Sequence, residues 1–136
     1  MQFMKPLNFI VFVFICLLAT SSLAGNLATS FKQAATLADA LDKERTTQAY
    51  IRLDLMPYYR QKYSPIFQSC LASTNHPDTL PFDFIVAIGA DGRVLRLYTD
   101  HETNIFVCVR ETLQKDKFPR PPVSPYYMHI SMSFSK

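Results

Sequence analysis

A chain of 136 residues, 49% apolar and 18% charged with a formal net charge of +3, has the size and composition of one folded domain. That excludes a disordered or low-complexity chain. Its basic residues form no cluster of the kind that tracks a nucleic-acid backbone, and three glycines leave no phosphate-cradling loop.

Residues 1–24 have the pattern of an export signal. Lys5 supplies the positive start, and Phe9–Ala19 supplies an apolar run of about 11 residues. Ser22-Leu23-Ala24 then places small residues where a signal peptidase reads, so cleavage is expected after Ala24. The competing reading is a retained membrane anchor, but the apolar run falls short of the roughly 20 residues that cross a bilayer. Phe14, Ile15 and Leu17 around Cys16 lack the small residues of a lipidation site. The mature domain is then residues 25–136, with a net charge of about +2 and two cysteines, Cys70 and Cys108. In an oxidising compartment two thiols permit one intramolecular pairing. Closing the loop of about 38 residues between them is worth roughly 3–4 kcal/mol through lost chain entropy in the unfolded state. Two free buried thiols are the alternative.

From Leu27 to about Thr46 the pattern is helical. Phe31, Ala34, Ala35, Ala38 and Leu41 recur at spacings of three and four, with Lys32, Gln33, Asp39 and Asp42 off the stripe. Such an Ala-rich stripe suits close approach to another element, or a mobile arm. Ile51, Leu53 and Leu55 alternate with Arg52 and Asp54, which suggests a short strand, although the flanks also suit a helix. Pro57 opens a new element in which Tyr59, Tyr63, Ile66, Phe67, Cys70 and Leu71 share one helical face. Ser64-Pro65 resembles a cap and first-turn pair, so the firm helix is expected over about 65–73. Residues 74–81 read as a loop.

Phe82, Phe84, Val86 and Ile88 alternate with Asp83, Ile85 and Ala87; Asp91-Gly92 follows, and then Leu95 and Leu97 alternate with Arg96 and Tyr98. Alternating runs joined by Asp-Gly predict a β-hairpin, because glycine accepts the positive φ of the turn. Thr99-Asp100-His101-Glu102 fits a capping box. Ile105, Cys108, Val109, Thr112 and Leu113 then form a helical face that turns Cys108 toward the core and Cys70. Lys115 and Lys117 suit the negative end of that helix. Phe118–Pro122 must be extended. Past Pro125, Met128, Ile130, Met132 and Phe134 alternate with Tyr127, His129, Ser131 and Ser133 as a half-buried terminal strand. The fold class expected is α+β: a small antiparallel sheet with helices packed on one face, in the order helix–β–β–helix–β.

A helix carrying Cys70, the apolar strand ending in Ala90-Asp91-Gly92-Arg93-Val94, a helix carrying Cys108, Phe118-Pro119-Arg120-Pro121 and a final strand reaching Phe134 resemble the TonB C-terminal-like domains. The resemblance is to the variant named for the gliding-motility proteins AgmX and PglI, over about residues 58–136. It makes residues 25–57 a separate N-terminal helical or extended segment. Two departures are plain: no long proline-rich spacer is present, and the leader reads as cleaved rather than retained. The resemblance therefore implies the fold and a binding habit, toward proteins or envelope components, with a partner strand added to a sheet edge. It does not imply energy coupling between membranes.

The search for chemistry returns little. There is no Gly-x-Ser-x-Gly turn and no Cys-x-x-Cys pair. His76 with Asp78, and His101 with Glu102, are local pairs lacking a third metal ligand. Asp83 and Asp91 are the nearest approach to paired carboxylates, and the turn already explains Asp91. Neither a metal nor a cofactor is expected. Binding has more support, since seven tyrosines occur without a tryptophan, and tyrosine suits protein interfaces. Tyr58, Tyr59, Tyr126, Tyr127, His129 and Ser131 are the expected partner-facing residues, on the first tyrosine cluster and on the terminal strand with its open edge. Helix-core roles for Tyr59 and Tyr63, and edge protection by the prolines of 119–125, are the plainer alternatives. The expected function is a non-enzymatic periplasmic protein-binding module with no membrane span after cleavage. Its partner is another protein: a secreted toxin or effector, if this is an immunity protein that inhibits it, or an envelope protein. A small envelope hydrolase and a structural envelope component are the other classes.

Overall fold

The computed structural model describes residues 26–135; the expected leader and the cleavage point after Ala24 lie outside the described residues. The predicted hairpin is its centre. Strand β1 (Phe82–Ile88) pairs antiparallel with β2 (Val94–Thr99), and β3 (Tyr126–Met132) pairs antiparallel with the other side of β1, giving the order β2-β1-β3. In the turn Gly92 takes φ +89° and its N–H donates to the Gly89 carbonyl at 2.9 Å. The Asp91 carboxylate accepts from the Arg93 N–H at 3.0 Å. Glycine is required there twice over, because a Cβ on Gly92 would lie 2.0 Å from the Phe118 carbonyl oxygen.

Register sorts the strands into two faces. Phe84 opposes Ile130 and Val86 opposes Met128, while Ile85 opposes His129 and Ala87 opposes Tyr127. The first set packs against two helices, α3 (Met56–Ser73) and α4 (Asn104–Lys115), through Tyr63, Phe67, Ile105, Val109 and Leu113. Each large side chain fully buried there contributes about 1.5–3 kcal/mol. The architecture is therefore α+β, with the helix–β–β–helix–β order and both of those helices on one face. Cys70 of α3 and Cys108 of α4 form the disulfide, with Cα atoms 5.9 Å apart.

The opposite face is covered by α1 (Phe31–Asp42). Its stripe is the predicted one: Ala34 and Ala38 are fully buried, with Phe31, Ala35 and Leu41 beside them against Ile85, Ala87, Tyr98 and Tyr127. Alanine's small side chain lets the helix lie close to the sheet. Ser30 caps its start, the hydroxyl accepting from the Gln33 N–H at 3.2 Å. Coverage on both sides explains why β1 reads Phe-Asp-Phe-Ile-Val-Ala-Ile rather than alternating strictly with polar residues.

Several sequence expectations are corrected. The helix expected to continue to Thr46 ends at Asp42, and α2 (Arg45–Tyr50) begins after a corner. The buried Thr47 hydroxyl is shared between the Leu41 carbonyl in the last turn of α1 and the Glu44 carbonyl just before α2, which ties the corner together. The residues expected as a strand, Ile51–Leu55, form a π-helical turn that joins α2 to α3 without a break. The Met56 N–H bonds to the Ile51 carbonyl, five residues back. A helical proline clashes with the carbonyl four residues before it, and Pro57 follows this widened turn directly. Ile51 and Leu55 pack inward while Leu53 is exposed, so their period-two spacing marks no sheet face. The boundary expected at Tyr58 falls inside this helical run, and Tyr50 and Leu55 belong to the same core as α3. The helix also passes through Pro65 instead of starting there.

The capping box does not form. Thr103 caps α4, its hydroxyl accepting from the Phe106 N–H at 3.0 Å, while the Thr99 hydroxyl donates to the Asp83 carbonyl at 3.0 Å. Cys108 lies on the exposed side of α4, and Cys70 is the buried half of the bridge. Leu95 is exposed rather than inward, because Ala87 opposes Arg96 and Ile88 opposes Val94, which leaves Leu95 in a bulge.

Candidate functional site

The tyrosines expected to face a partner are mostly internal. Tyr126, Tyr127 and Tyr59 are all buried, which corrects their assignment as contact residues. The physical reason is the phenol's double character: the ring fills a core while the hydroxyl ties down a polar group. The Tyr126 hydroxyl donates to the Asp42 carboxylate at 2.9 Å, and Tyr50, edge-on to the Tyr126 ring, donates to the Pro119 carbonyl at 2.9 Å. Tyr127 accepts from the Ala28 N–H at 2.9 Å and Tyr98 donates to the Ala28 carbonyl at 2.7 Å, fastening the segment before α1 across the sheet. The Tyr59 ring stacks on Tyr63, but its hydroxyl is buried with no hydrogen-bond partner among the described residues.

Tyr58 is half-buried and belongs to a cluster that sequence reasoning missed. Asp116, directly after α4 and only 7% exposed, accepts from the Tyr58 hydroxyl at 2.6 Å, from the Tyr63 hydroxyl, from the Lys62 ammonium and from the Lys117 N–H at 2.7 Å. Burial pushes the Asp116 carboxyl up, but these donors together outweigh it and hold the group below its usual range. Burial, and then the bond to Asp116, raise the Tyr58 and Tyr63 phenols, so both stay protonated donors. The bond to Asp116 is the main influence that raises the Lys62 ammonium. A clue was present in the sequence: a carboxylate at the negative end of a helix is unfavourable unless something else holds it.

His129 and Ser131 are exposed on β3, as the alternation predicted. The His129 Nε2 lies 3.3 Å from the Asp83 carboxylate and its ring stands edge-on to Phe31. His101 lies beside Asp100 at 3.0 Å, and His76 sits in the loop before β1 with its carbonyl accepting from Asn104 at 3.1 Å. The three histidines thus occupy separate places. Among the described residues no three His, Cys, Asp or Glu side chains group to hold a metal ion. No helix there is long and apolar enough to cross a membrane.

With both faces covered, the sheet meets its surroundings at two ends, β2 and β3. The β2 end is shaped. A groove of about 460 Å³ runs between β2 and α4, walled by Val94, Leu97 and Thr99 on the strand and by Phe106, Arg110 and Gln114 on the helix. The helix wall is a stripe at spacing four, which stacks side chains along one face. Arg110 lies over the Phe106 ring at 5.6 Å and pairs with Glu102 at 2.6 Å. No family model matches this chain, and no curated protein or solved structure matches it.

Proposed function

We propose that the chain is an exported, non-enzymatic protein-binding module of the periplasm, built on a TonB C-terminal-like core. One observation carries this reading: a three-stranded sheet sealed on both faces ends in a strand, β2, whose outer side opens onto a groove. Backbone groups along such an edge give affinity to an added strand, and pockets beside it give selectivity. The order helix–β–β–helix–β and the bridge between Cys70 and Cys108 support the kinship and an oxidising compartment. The form of the function we favour is immunity, in which the module occludes a toxic effector delivered to the periplasm. A rigid, disulfide-tied scaffold suits that task, because little ordering entropy is lost on binding.

The test is capture from periplasmic extract by the immobilised domain 25–136, followed by reconstitution with the purified partner. A single protein that binds at fixed stoichiometry, and whose toxicity in the periplasm is relieved by this chain, is the expected result. Failure to reconstitute any complex from extracts made across growth conditions would end the reading.

A further inference from the structure

The two halves of the bridge have unequal surroundings. Cys70, in the last turn of α3, is 4% exposed and shares the core with Phe67 and Ile105. Cys108, midway along α4, is exposed, and Val107 beside it is 47% exposed. Thiol–disulfide exchange proceeds by attack of a thiolate on one sulfur of the bond, so access decides which sulfur is entered. Here that access lies at Cys108. The charges near it on α4 are already paired, Arg110 with Glu102 and Glu111 with Lys115, each at 2.6 Å. On the other side of the bridge α3 has no charged residue from Ser64 to Ser73. Nothing on either helix therefore draws an anionic small thiol to this sulfur, whereas the exposed Val107 offers apolar contact to a protein. The α3–α4 pair also has a second fastening. Tyr58 and Tyr63 of α3 donate to Asp116, directly after α4, so opening the bridge leaves the two helices joined elsewhere.

We infer that the bridge is a thiol-exchange site entered at Cys108, opened and closed by a dithiol–disulfide oxidoreductase, with Cys70 as the buried resolving thiol. In opening, a thiolate of the oxidoreductase attacks the Cys108 sulfur. The Cys70–Cys108 bond breaks, a bond between the two proteins forms, and the electron pair leaves on Cys70, which takes a proton. The oxidoreductase's second thiolate then attacks its own first sulfur and expels Cys108. The oxidoreductase ends as a disulfide and this chain as two thiols. Closing runs the same steps backward, with the Cys70 thiolate expelling the oxidoreductase from Cys108. This assignment is independent of the protein-binding reading above, and either can fail without the other.

The test mixes the oxidised domain 25–136 with a reduced Cys-x-x-Cys oxidoreductase whose second active-site cysteine is replaced by alanine. Such a reagent halts at the mixed disulfide, which is quenched with acid and mapped by peptide mass spectrometry. At least tenfold more of it is expected on Cys108 than on Cys70, with the circular dichroism of the domain unchanged. A mixed disulfide on Cys70, equal amounts on both cysteines, or none at all would overturn the assignment. So would a reaction that appears only as urea unfolds the domain. Reduced glutathione at the same thiol concentration separates the two sources of thiol: it should open the bridge at least tenfold more slowly, and an equal rate would overturn the protein partner. The single variants supply a second measurement. Against an aromatic disulfide reagent, the lone Cys108 of Cys70→Ser should react at least tenfold faster than the lone Cys70 of Cys108→Ser. In denaturant the two rates should converge. Equal rates in native buffer, with both variants folded by circular dichroism, would overturn Cys108 as the entry sulfur.

Discussion

Replacing Asp116 with asparagine tests the best-defined polar cluster in the molecule. The side chain is 3% exposed and gathers two phenolic hydroxyls, an ammonium and a backbone N–H around two oxygens. Asparagine keeps the shape but replaces one acceptor with a donor and removes the charge. Hydrogen bonds to a charged group are worth about 1.5–3 kcal/mol each. Those from Tyr63 and the Lys117 N–H are the most sheltered, and a phenol reoriented as an acceptor recovers part of the loss. The Lys62 contribution is discounted to about 0–1 kcal/mol, because that side chain is 39% exposed and reaches water. The expected destabilisation is about 3 kcal/mol, at the low end for breaking a buried pair. Urea unfolding at pH 7 reads this directly, as a midpoint lower by about 2 M if m is roughly 1.5 kcal/mol/M and unchanged. A loss below about 0.5 kcal/mol would refute the reasoning, since a surface position behaves that way.

The same substitution carries a pH signature with a definite sign. The donors around Asp116 outweigh the upward push of burial and hold its carboxyl below the ordinary value of 3.8, so the folded chain binds that proton less readily than the unfolded chain. The carboxylate's contribution is therefore fully present above about pH 5 and is lost as pH falls through the folded-state value. The stability gap between the native chain and Asp116→Asn should narrow on acidification. A gap that widens below pH 4 would show that the carboxylate is not the group that matters.

Three further outcomes follow from single positions. Gly92→Ala places a side chain at φ +89° with its Cβ 2.0 Å from a backbone oxygen, so a loss of at least about 2–3 kcal/mol is expected in thermal unfolding. Tyr63→Phe should cost about 1.5–3 kcal/mol, whereas Tyr59→Phe removes a buried hydroxyl without a partner and should be neutral or stabilising by about 1 kcal/mol; equal losses in chemical denaturation would contradict the different environments of the two phenols. Non-reducing mass spectrometry of the native domain should find neither Cys70 nor Cys108 alkylatable, and the double serine variant should lose roughly 3–4 kcal/mol.

Features written in local chemistry were legible in the sequence. The hairpin around Gly92, the Ala34–Ala38 stripe, the terminal strand and the α+β order all rest on period and turn residues, and the fold has them. Features that depend on distant partners were not. Ile51, Leu53 and Leu55 alternate like a strand, but Pro57 and the aromatic face of α3 decide their conformation by widening a helical turn. Thr99-x-x-Glu102 has the letters of a capping box, but Thr99 is held by the Asp83 carbonyl across the sheet and Thr103 takes the cap. Cys108 falls on a periodic face with Ile105, Val109 and Leu113, yet rotates outward because Phe106 takes the inward place.

The tyrosines bear on where binding occurs. Read as a composition, seven of them beside no tryptophan point to a contact surface. In the structure six of the seven spend their hydroxyls on internal bonds, to Pro119, Asp116, Ala28 and Asp42, and the seventh is buried without one. Each tie joins segments far apart in sequence, so a small sheet is held to α1 on one side and to α3 and the end of α4 on the other. A phenol committed in this way is costly to withdraw, because its partner is left buried and unpaired. The tyrosines therefore make the scaffold stiff, and on the proposed protein-binding reading the contact surface is the open β2 edge beside the groove that Leu95, Leu97, Phe106 and Arg110 line. On that reading stiffness and an open edge reinforce one another, since a preformed edge binds without first having to order itself.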